Sequence, residues 1–201
     1  MTSSRWVTDV KHGQLAASLP RTQESSVAAV RAVRQDQDRG ANLVRMAIQL
    51  SLLDEADVDE TMAVVKESFD TCVAPDYTEE GRELFARVVT CEYLRSLPNR
   101  QGFTLVAKLG GHTVGMCAFR DGNHITLFFV RPKLHGQGIG RRLFDAAAER
   151  VRRNVPEATK LEVHSSPAAV PVYEALGFEV TGPEEVEGGM RYVPMERSLV
   201  T

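Results

Sequence analysis

A glycine-rich turn carries the strongest chemical signal in this sequence. Gly136, Gly138 and Gly140 stand at alternate positions between an apolar run typical of a buried strand and an amphipathic run typical of a helix. Glycine lets the backbone approach a ligand closely, and the free N–H groups and positive dipole at the start of a helix bind anions. The flanking cationic side chains are Lys133, Arg141 and Arg142. The turn therefore predicts a site for a phosphate or a pyrophosphate.

Two well-known phosphate sites do not fit this turn. A nucleotide-hydrolase loop requires a Gly-Lys-Ser/Thr sequence, which does not follow here, and the spacing is not the GxGxxG of a dinucleotide fold. A tight strand-to-helix turn without a ligand is the simpler alternative, because glycine pairs often mark such turns. Three glycines, flanking cations and a change from strand to helix coincide at this point, and together they favour the ligand.

Two segments resemble one known family. Residues 135–140, His-Gly-Gln-Gly-Ile-Gly, are similar to the coenzyme A signature of the GNAT acetyltransferase superfamily, (Gln/Arg)-x-x-Gly-x-(Gly/Ala), with His135 at the first position. About one helix later, residues 165–178 resemble the family's Ser…Ala…Tyr-Glu-x-Leu-Gly-Phe segment. The resemblance covers roughly residues 46–198. It implies an α/β (α+β) chain with the GNAT acyl-CoA N-acyltransferase fold, a mixed central sheet flanked by helices.

The resemblance also implies a cofactor, acetyl-CoA, and the residues that bind it. The pantetheine arm is expected along the backbone of Phe128, Phe129 and Val130. The pyrophosphate is expected along Gln137, Gly138, Gly140 and Arg141, and the predicted cofactor site also includes His135, Gly136 and Ile139. His164 and Ser165 stand where the family often has an Asn that contacts the cofactor arm. His164 could instead be a catalytic base, since imidazole titrates near neutral pH, or a strand-end histidine with a structural hydrogen bond.

Tyr173 matches the position of the family's usual general acid, which protonates the departing sulfur. The alternative is a half-buried core tyrosine. His124 could relay a proton, although a histidine exposed in a turn is the safer expectation. The residues expected to border the acceptor are Asp76, Tyr77, Glu79 and Glu80, whose carboxylates would attract a cationic amine or else start a helix. No metal ligands are predicted.

The function implied by the resemblance is transfer of an acetyl group from acetyl-CoA to a primary amine by direct attack on the thioester. The acceptor, a small molecule or a peptide, stays open, because loops determine it. The alternative function is a non-catalytic acyl-CoA sensor of the same fold. A homodimer that forms through exposed sheet edges also stays an open alternative.

Periodicity predicts the elements that must position these residues. Strands are expected at residues 47–52, 103–109, 113–119, 125–130, 161–164, 178–181 and 190–197. One helix is expected between residues 57 and 74, a second from Thr78 to about residue 98, a third from about residue 138 to 153, and a fourth at 168–176. In the second helix, Leu84, Phe85, Val88, Val89 and Tyr93 should point inward. The resulting order is βααβββαβαββ, with residues 125–130 as a central strand and Gly110-Gly111 as a hairpin turn.

Composition limits the class of protein. The chain has 201 residues, of which 43% are hydrophobic and 25% charged, as in an ordinary globular protein. The net charge of −3 argues against nucleic-acid binding by bulk electrostatics, and no apolar run is long enough to cross a bilayer. The three cysteines are an odd number without metal-ligand spacing, so we expect free buried thiols in a reducing cytoplasm.

Charge divides the chain into two parts. Residues 1–45 carry seven basic and four acidic side chains, a net charge of +3, which leaves −6 for the remainder. They also hold few large apolar residues. We therefore expect residues 1–45 to be an N-terminal extension, flexible or a leader, with a basic arm for a partner as the alternative. Residues 46–201 are expected to be the acetyltransferase domain.

Overall fold

The computed structural model describes residues 47–200. The prediction for residues 1–45 lies outside this range. None of the helices in the described part of the chain is long and apolar enough to span a membrane.

A mixed sheet of eight strands forms the centre of the fold. The strands are β1 (Gln49–Leu52), β2 (Phe103–Leu109), β3 (His112–Arg120), β4 (His124–Val130), β5 (Lys160–Ser165), β6 (Glu179–Val180), β7 (Glu185–Glu187) and β8 (Met190–Ser198). Their order is β1-β2-β3-β4-β5-β8-β6, and β7 pairs with β8. Neighbouring strands are antiparallel except β4 and β5, which are parallel. The predicted mixed sheet with a central β4 is confirmed.

Helices cover both faces of the sheet. They are α1 (Val58–Cys72), α2 (Glu79–Val88), α3 (Cys91–Ser96), α4 (Ile139–Asn154) and α5 (Val170–Ala175). Helices α4 and α5 pack with one apolar cluster, which includes Leu143 of α4, Tyr173 of α5 and Leu105 of β2. Helices α1 and α3 pack with a second cluster, in which Val65 and Leu94 accompany Val106. Because successive strand residues face opposite ways, Leu105 and Val106 belong to different layers. We call these the α4 face and the α1 face.

The predicted second helix is two helices in the structure. Its N-cap is confirmed, because the Thr78 side chain accepts a hydrogen bond from the Gly81 N–H. The helix then stops at Val89, whose backbone is extended, and Thr90 caps α3 by accepting a hydrogen bond from the Tyr93 N–H. The break leaves Val88 48% exposed, so its predicted inward orientation is wrong. The sequence did not predict this break because the apolar spacing continues across Thr90. Threonine is favoured as an N-cap, so Thr90 starts a new helix instead of extending the first one.

Strand β7 was not predicted. Its three residues, Glu-Val-Glu, are all exposed, so the short segment lacks the alternation of buried and exposed residues from which strands are predicted. The turn that joins β7 to β8 lies against the start of α2. The Thr78 N–H donates to the Gly189 carbonyl over 3.3 Å, and a methyl group on Gly81 would come within 2.3 Å of the same oxygen. The β7–β8 hairpin is thereby held close to α2 on the α1 face.

Candidate active site

The parting of β4 from β5 opens a cleft in the sheet. The two strands pair only at His124 with Glu162 and at Ile125 with Val163. Beyond Ile125, β4 continues to Val130 without a strand partner on that side. A cleft of about 590 Å³ lies at this place, within the usual size of small-molecule sites.

The glycine-rich turn forms one wall of the cleft. Gly136 and Gly138 both have φ of +76°, a conformation that disfavours other residues, and Gly138 is the N-cap of α4. The Arg142 N–H bonds to the Gly138 carbonyl as the first bond of α4. The N–H groups of Ile139, Gly140 and Arg141 precede that bond and have no partner within the helix. Free N–H groups at a helix start are the arrangement that suits an anion.

Gly140 brings this helix start close to β4. A methyl group on Gly140 would lie 3.5 Å from Cζ of Phe128 and 3.8 Å from Cγ2 of Val130. These are ordinary contact distances, so the first turn of α4 rests on β4 side chains at the floor of the cleft. The position has room for Ala as well as Gly.

His135 turns its ring back toward the strand. Its Nε2 lies 2.7 Å from the Val130 carbonyl oxygen, which also accepts a hydrogen bond of 3.1 Å from the Ser68 hydroxyl. Since a carbonyl only accepts, Nε2 carries the proton in this contact. The Val130 carbonyl is thus engaged by two protein side chains, and His135 braces the turn against the end of β4.

Tyr173 of α5 faces the cleft from the second wall. The side chain is 6% exposed, and its hydroxyl makes no hydrogen bond with residues 47–200. The ring packs between Phe128 and Phe178, with centroid distances of 6.2 and 5.3 Å. Burial raises the pKa of Tyr173, so the hydroxyl keeps its proton at neutral pH.

The structure brings most of the predicted site residues to this cleft. The predicted residues that line it are Phe128, Phe129, Val130, His135, Gly136, Gly138, Ile139, Gly140, Arg141 and Tyr173. The Arg141 guanidinium also donates to the carbonyl of Ala175, which ties the start of α4 to the end of α5.

Three predicted residues do not line the cleft. Gln137 is half-buried, and its Oε1 has no partner in the described part of the chain. Ser165 is buried and donates its hydroxyl to the Ser166 carbonyl over 2.9 Å. His164 is exposed on the α1 face, where its ring stacks on that of Tyr192 at 4.4 Å.

His124 differs from the sequence expectation. The side chain is only 8% exposed, so the prediction of an exposed histidine in a turn is wrong. The ring instead packs edge to face on His164, with centroids 5.0 Å apart. Burial lowers its pKa to about 4, with smaller effects from the positive charge of Arg120 and from His164. His124 is therefore neutral at physiological pH.

The residues expected to border the acceptor lie outside the cleft. Tyr77 packs edge-on against Phe69 at 5.7 Å, and burial raises its pKa. Glu79 and Glu80 occupy the exposed first turn of α2, beside the N-cap Thr78. Their position fits the alternative role of first-turn acids.

Sequence reasoning missed several residues at the site. Ser68 and Cys72 of α1 line the cleft, and their spacing of one helical turn was the available signal. On the α1 face, the Tyr93 hydroxyl meets the Thr126 hydroxyl at 2.6 Å. No motif in the chain could have paired these two, since they are remote in sequence. Among the described residues, no three His, Cys, Asp or Glu side chains come together as a metal site.

Comparison with known proteins agrees with this architecture. The family model "Acetyltransferase (GNAT) domain" matches residues 73–199. No curated protein matches the chain.

Solved structures share the fold. A GCN5-related N-acetyltransferase from Rhodopseudomonas palustris, described as an aminotransferase of class II, is 24% identical with a TM-score of 0.64 over 75% of this chain and 95% of its own. The PaiA N-acetyltransferase from Thermoplasma acidophilum, in complex with coenzyme A, is 20% identical with a TM-score of 0.63, and the match covers 75% of this chain and 98% of its own. A GNAT-family acetyltransferase from Staphylococcus aureus is 13% identical with a TM-score of 0.60, and the match covers 76% of this chain and 99% of its own. With the family model matching well over half of its residues, this chain belongs to the GNAT acetyltransferase family.

Proposed function

We propose that the protein transfers an acetyl group from acetyl-CoA to a primary amine of a small molecule or a peptide, by direct attack of the amine on the thioester. One observation carries the proposal. The parting of β4 from β5 opens a single cleft that has the start of α4 on one wall and the Tyr173 side chain on the other. An anion cradle and a proton donor are thus available to the same ligand.

The residues of the cleft fit coenzyme A. The N–H groups at the start of α4, with the positive φ of Gly136 and Gly138, suit a pyrophosphate. The apolar floor of Phe128, Phe129 and Val130 suits the pantetheine arm. The coenzyme A bound to the PaiA N-acetyltransferase supports the same cofactor here.

Acetyl-CoA would supply a thioester, whose carbonyl carbon an amine can attack directly. Tyr173 would hold a proton at its hydroxyl for the departing sulfur, since burial raises its pKa and no described residue occupies the hydroxyl. The rings of Phe128 and Phe178 would fix the direction of that hydroxyl. The apolar lining of the cleft would keep water away from the reacting group.

The experiment is acetyl-CoA-dependent thiol release measured with a panel of primary amines, alongside calorimetry of coenzyme A binding. We expect coenzyme A to bind and thiol release to exceed hydrolysis for at least one amine. Coenzyme A binding without turnover of any amine would favour the sensor. Absence of coenzyme A binding would overturn both functions.

We further propose three features of the protein. Residues 1–45 form an extension of the domain at 46–201, with its separate positive charge as support. A cytoplasmic location is supported by the three free cysteines. A homodimer is supported by β1 and β6, which end the sheet order as edges.

A further inference from the structure

A β-bulge lies where β4 leaves β5. In the pairing of β3 with β4, Ala118 is opposite Leu127 and Phe119 is opposite Ile125, so Thr126 is an extra residue without a partner in β3. Ile125 is also the last residue of β4 that pairs with β5. We call this feature the Thr126 bulge. The two strands therefore part directly at the bulge.

The Thr126 bulge changes which side chains of β4 face α4. Along a regular strand every second residue faces the same way, so Leu127 would join Ile125 on the α4 face. In the structure Ile125 belongs to the apolar cluster of the α4 face, whereas Leu127 belongs to that of the α1 face. The shift by one residue brings Phe128 and Val130 to the cluster of the α4 face. The side chains on the floor of the cleft therefore depend on the bulge.

A side chain of α3 holds the Thr126 bulge. The hydroxyl oxygens of Tyr93 and Thr126 lie 2.6 Å apart, and both side chains are half-buried. The Tyr93 N–H donates to the Thr90 hydroxyl over 3.2 Å, and the Tyr93 carbonyl accepts a hydrogen bond of 2.7 Å from the Ser96 hydroxyl. Because side chains engage both backbone groups of Tyr93, the phenol is a fixed partner for Thr126.

The hydrogen bond with Tyr93 takes the place of strand pairing at Thr126. A bulge leaves its extra residue outside the ladder, and Thr126 pairs with neither β3 nor β5. A threonine and a tyrosine hydroxyl can each donate or accept, so the two side chains satisfy one another with either as the donor. Loss of this bond would release β4 at the residue where it changes its facing.

We propose that Tyr93 is a positioning residue for the cleft. Its hydrogen bond with Thr126 keeps the bulge in place, and the bulge keeps Phe128 and Val130 on the floor of the cleft. Tyr93 is not among the residues that line the cleft, so it acts through β4. Its effect on coenzyme A binding rests on the proposed function, whereas its effect on β4 does not.

The experiment compares the full wild-type chain with Tyr93→Phe, Thr126→Val and the double variant. Hydrogen exchange followed by mass spectrometry measures the local opening of residues 127–130 without a ligand, and calorimetry measures coenzyme A affinity. We expect each single variant to speed exchange of this segment about fivefold and to weaken coenzyme A binding about threefold, within the range of one lost hydrogen bond. The double variant should do no more than either, because both substitutions remove the same bond.

Two further variants serve as controls. Thr126→Ser keeps the hydroxyl and should behave as the wild type does. Ser96→Ala is the matched control, because it removes a hydrogen bond of 2.7 Å within α3 and leaves the hydroxyls of Tyr93 and Thr126 in place. It should change neither the exchange of residues 127–130 nor the affinity for coenzyme A.

The outcomes separate this inference from the proposed function. Unchanged exchange of residues 127–130 in both single variants overturns the inference, and so does unchanged coenzyme A affinity where the wild type binds it. Additive effects in the double variant, or an effect of Ser96→Ala equal to that of Tyr93→Phe, would mean a general loosening of the α1 face and also overturn it. Faster exchange that Thr126→Ser does not share supports the inference even if the wild type binds no coenzyme A, the result that overturns the proposed function.

Discussion

The ring of Phe128 in β4 packs on the ring of Tyr173 in α5, with centroids 6.2 Å apart and planes inclined by 55°. This contact joins the floor of the cleft to its second wall, since β4 carries the apolar floor and α5 carries the hydroxyl. Phe178 holds the other side of Tyr173 at 5.3 Å. Two aromatic neighbours thus fix the phenol without using its oxygen, which stays available to a ligand.

Removal of the Tyr173 hydroxyl tests its proposed role as a general acid. Tyr173→Phe should lower the turnover of acetyl transfer about 100-fold, the usual effect of losing a general acid. Coenzyme A affinity should stay constant, because the ring contacts remain. Turnover from thiol release and affinity from calorimetry provide the two readouts. Unchanged turnover would show that Tyr173 is a core residue only.

The two glycines at the start of α4 should respond differently to alanine. Gly138→Ala should lower the free energy of unfolding by about 1–2 kcal/mol, because φ of +76° is unfavourable for a residue with a Cβ. Gly140→Ala is the control, since its methyl group would make only a 3.5 Å contact with Phe128. Urea unfolding measures both. Equal effects of the two substitutions would contradict the assignment of Gly138 as the strained cap.

Alkylation of the cysteines tests whether coenzyme A binds in the cleft. Cys72 lines it, whereas Cys91 is half-buried beside Asp59, and Cys117 is fully buried with its pKa raised by burial. Coenzyme A should therefore slow alkylation of Cys72 and leave that of Cys91 unchanged, while Cys117 reacts only after unfolding. Mass spectrometry of timed alkylation follows each thiol. Protection of Cys91 to the same extent as Cys72 would place the cofactor elsewhere.

His124 should make stability depend on pH. Its pKa is about 4 in the folded chain against 6.5 in the unfolded chain, so the unfolded chain binds the proton first as pH falls. The stabilisation is present above pH 6.5 and is lost as pH falls toward about 4, a change of about 3 kcal/mol. Urea unfolding across this range should show the loss in the wild type. His124→Gln should remove this part of the slope, and identical slopes would contradict the effect.

Several elements were predictable because their signals are local. The Gly110-Gly111 hairpin, the apolar β4 and the buried side of α4 follow from turn chemistry and from periods of two and 3.6 residues. The division between α2 and α3 was missed, because the apolar spacing continued through Thr90. Strand β7 has no buried face, and only its pairing with β8 makes it a strand.

The sequence by itself determined the glycine-rich start of α4, since the positive φ of Gly136 and Gly138 and the free N–H groups of Ile139, Gly140 and Arg141 belong to one short segment. Its two motifs also identified Tyr173, which the structure brings to the cleft. Only the tertiary structure decided which residues surround His124 and His164. His164 of β5 packs on His124 of β4 and on Tyr192 of β8, and burial in the folded chain keeps His124 neutral. Such contacts depend on strand register and packing, which residues remote in sequence do not encode as a pattern.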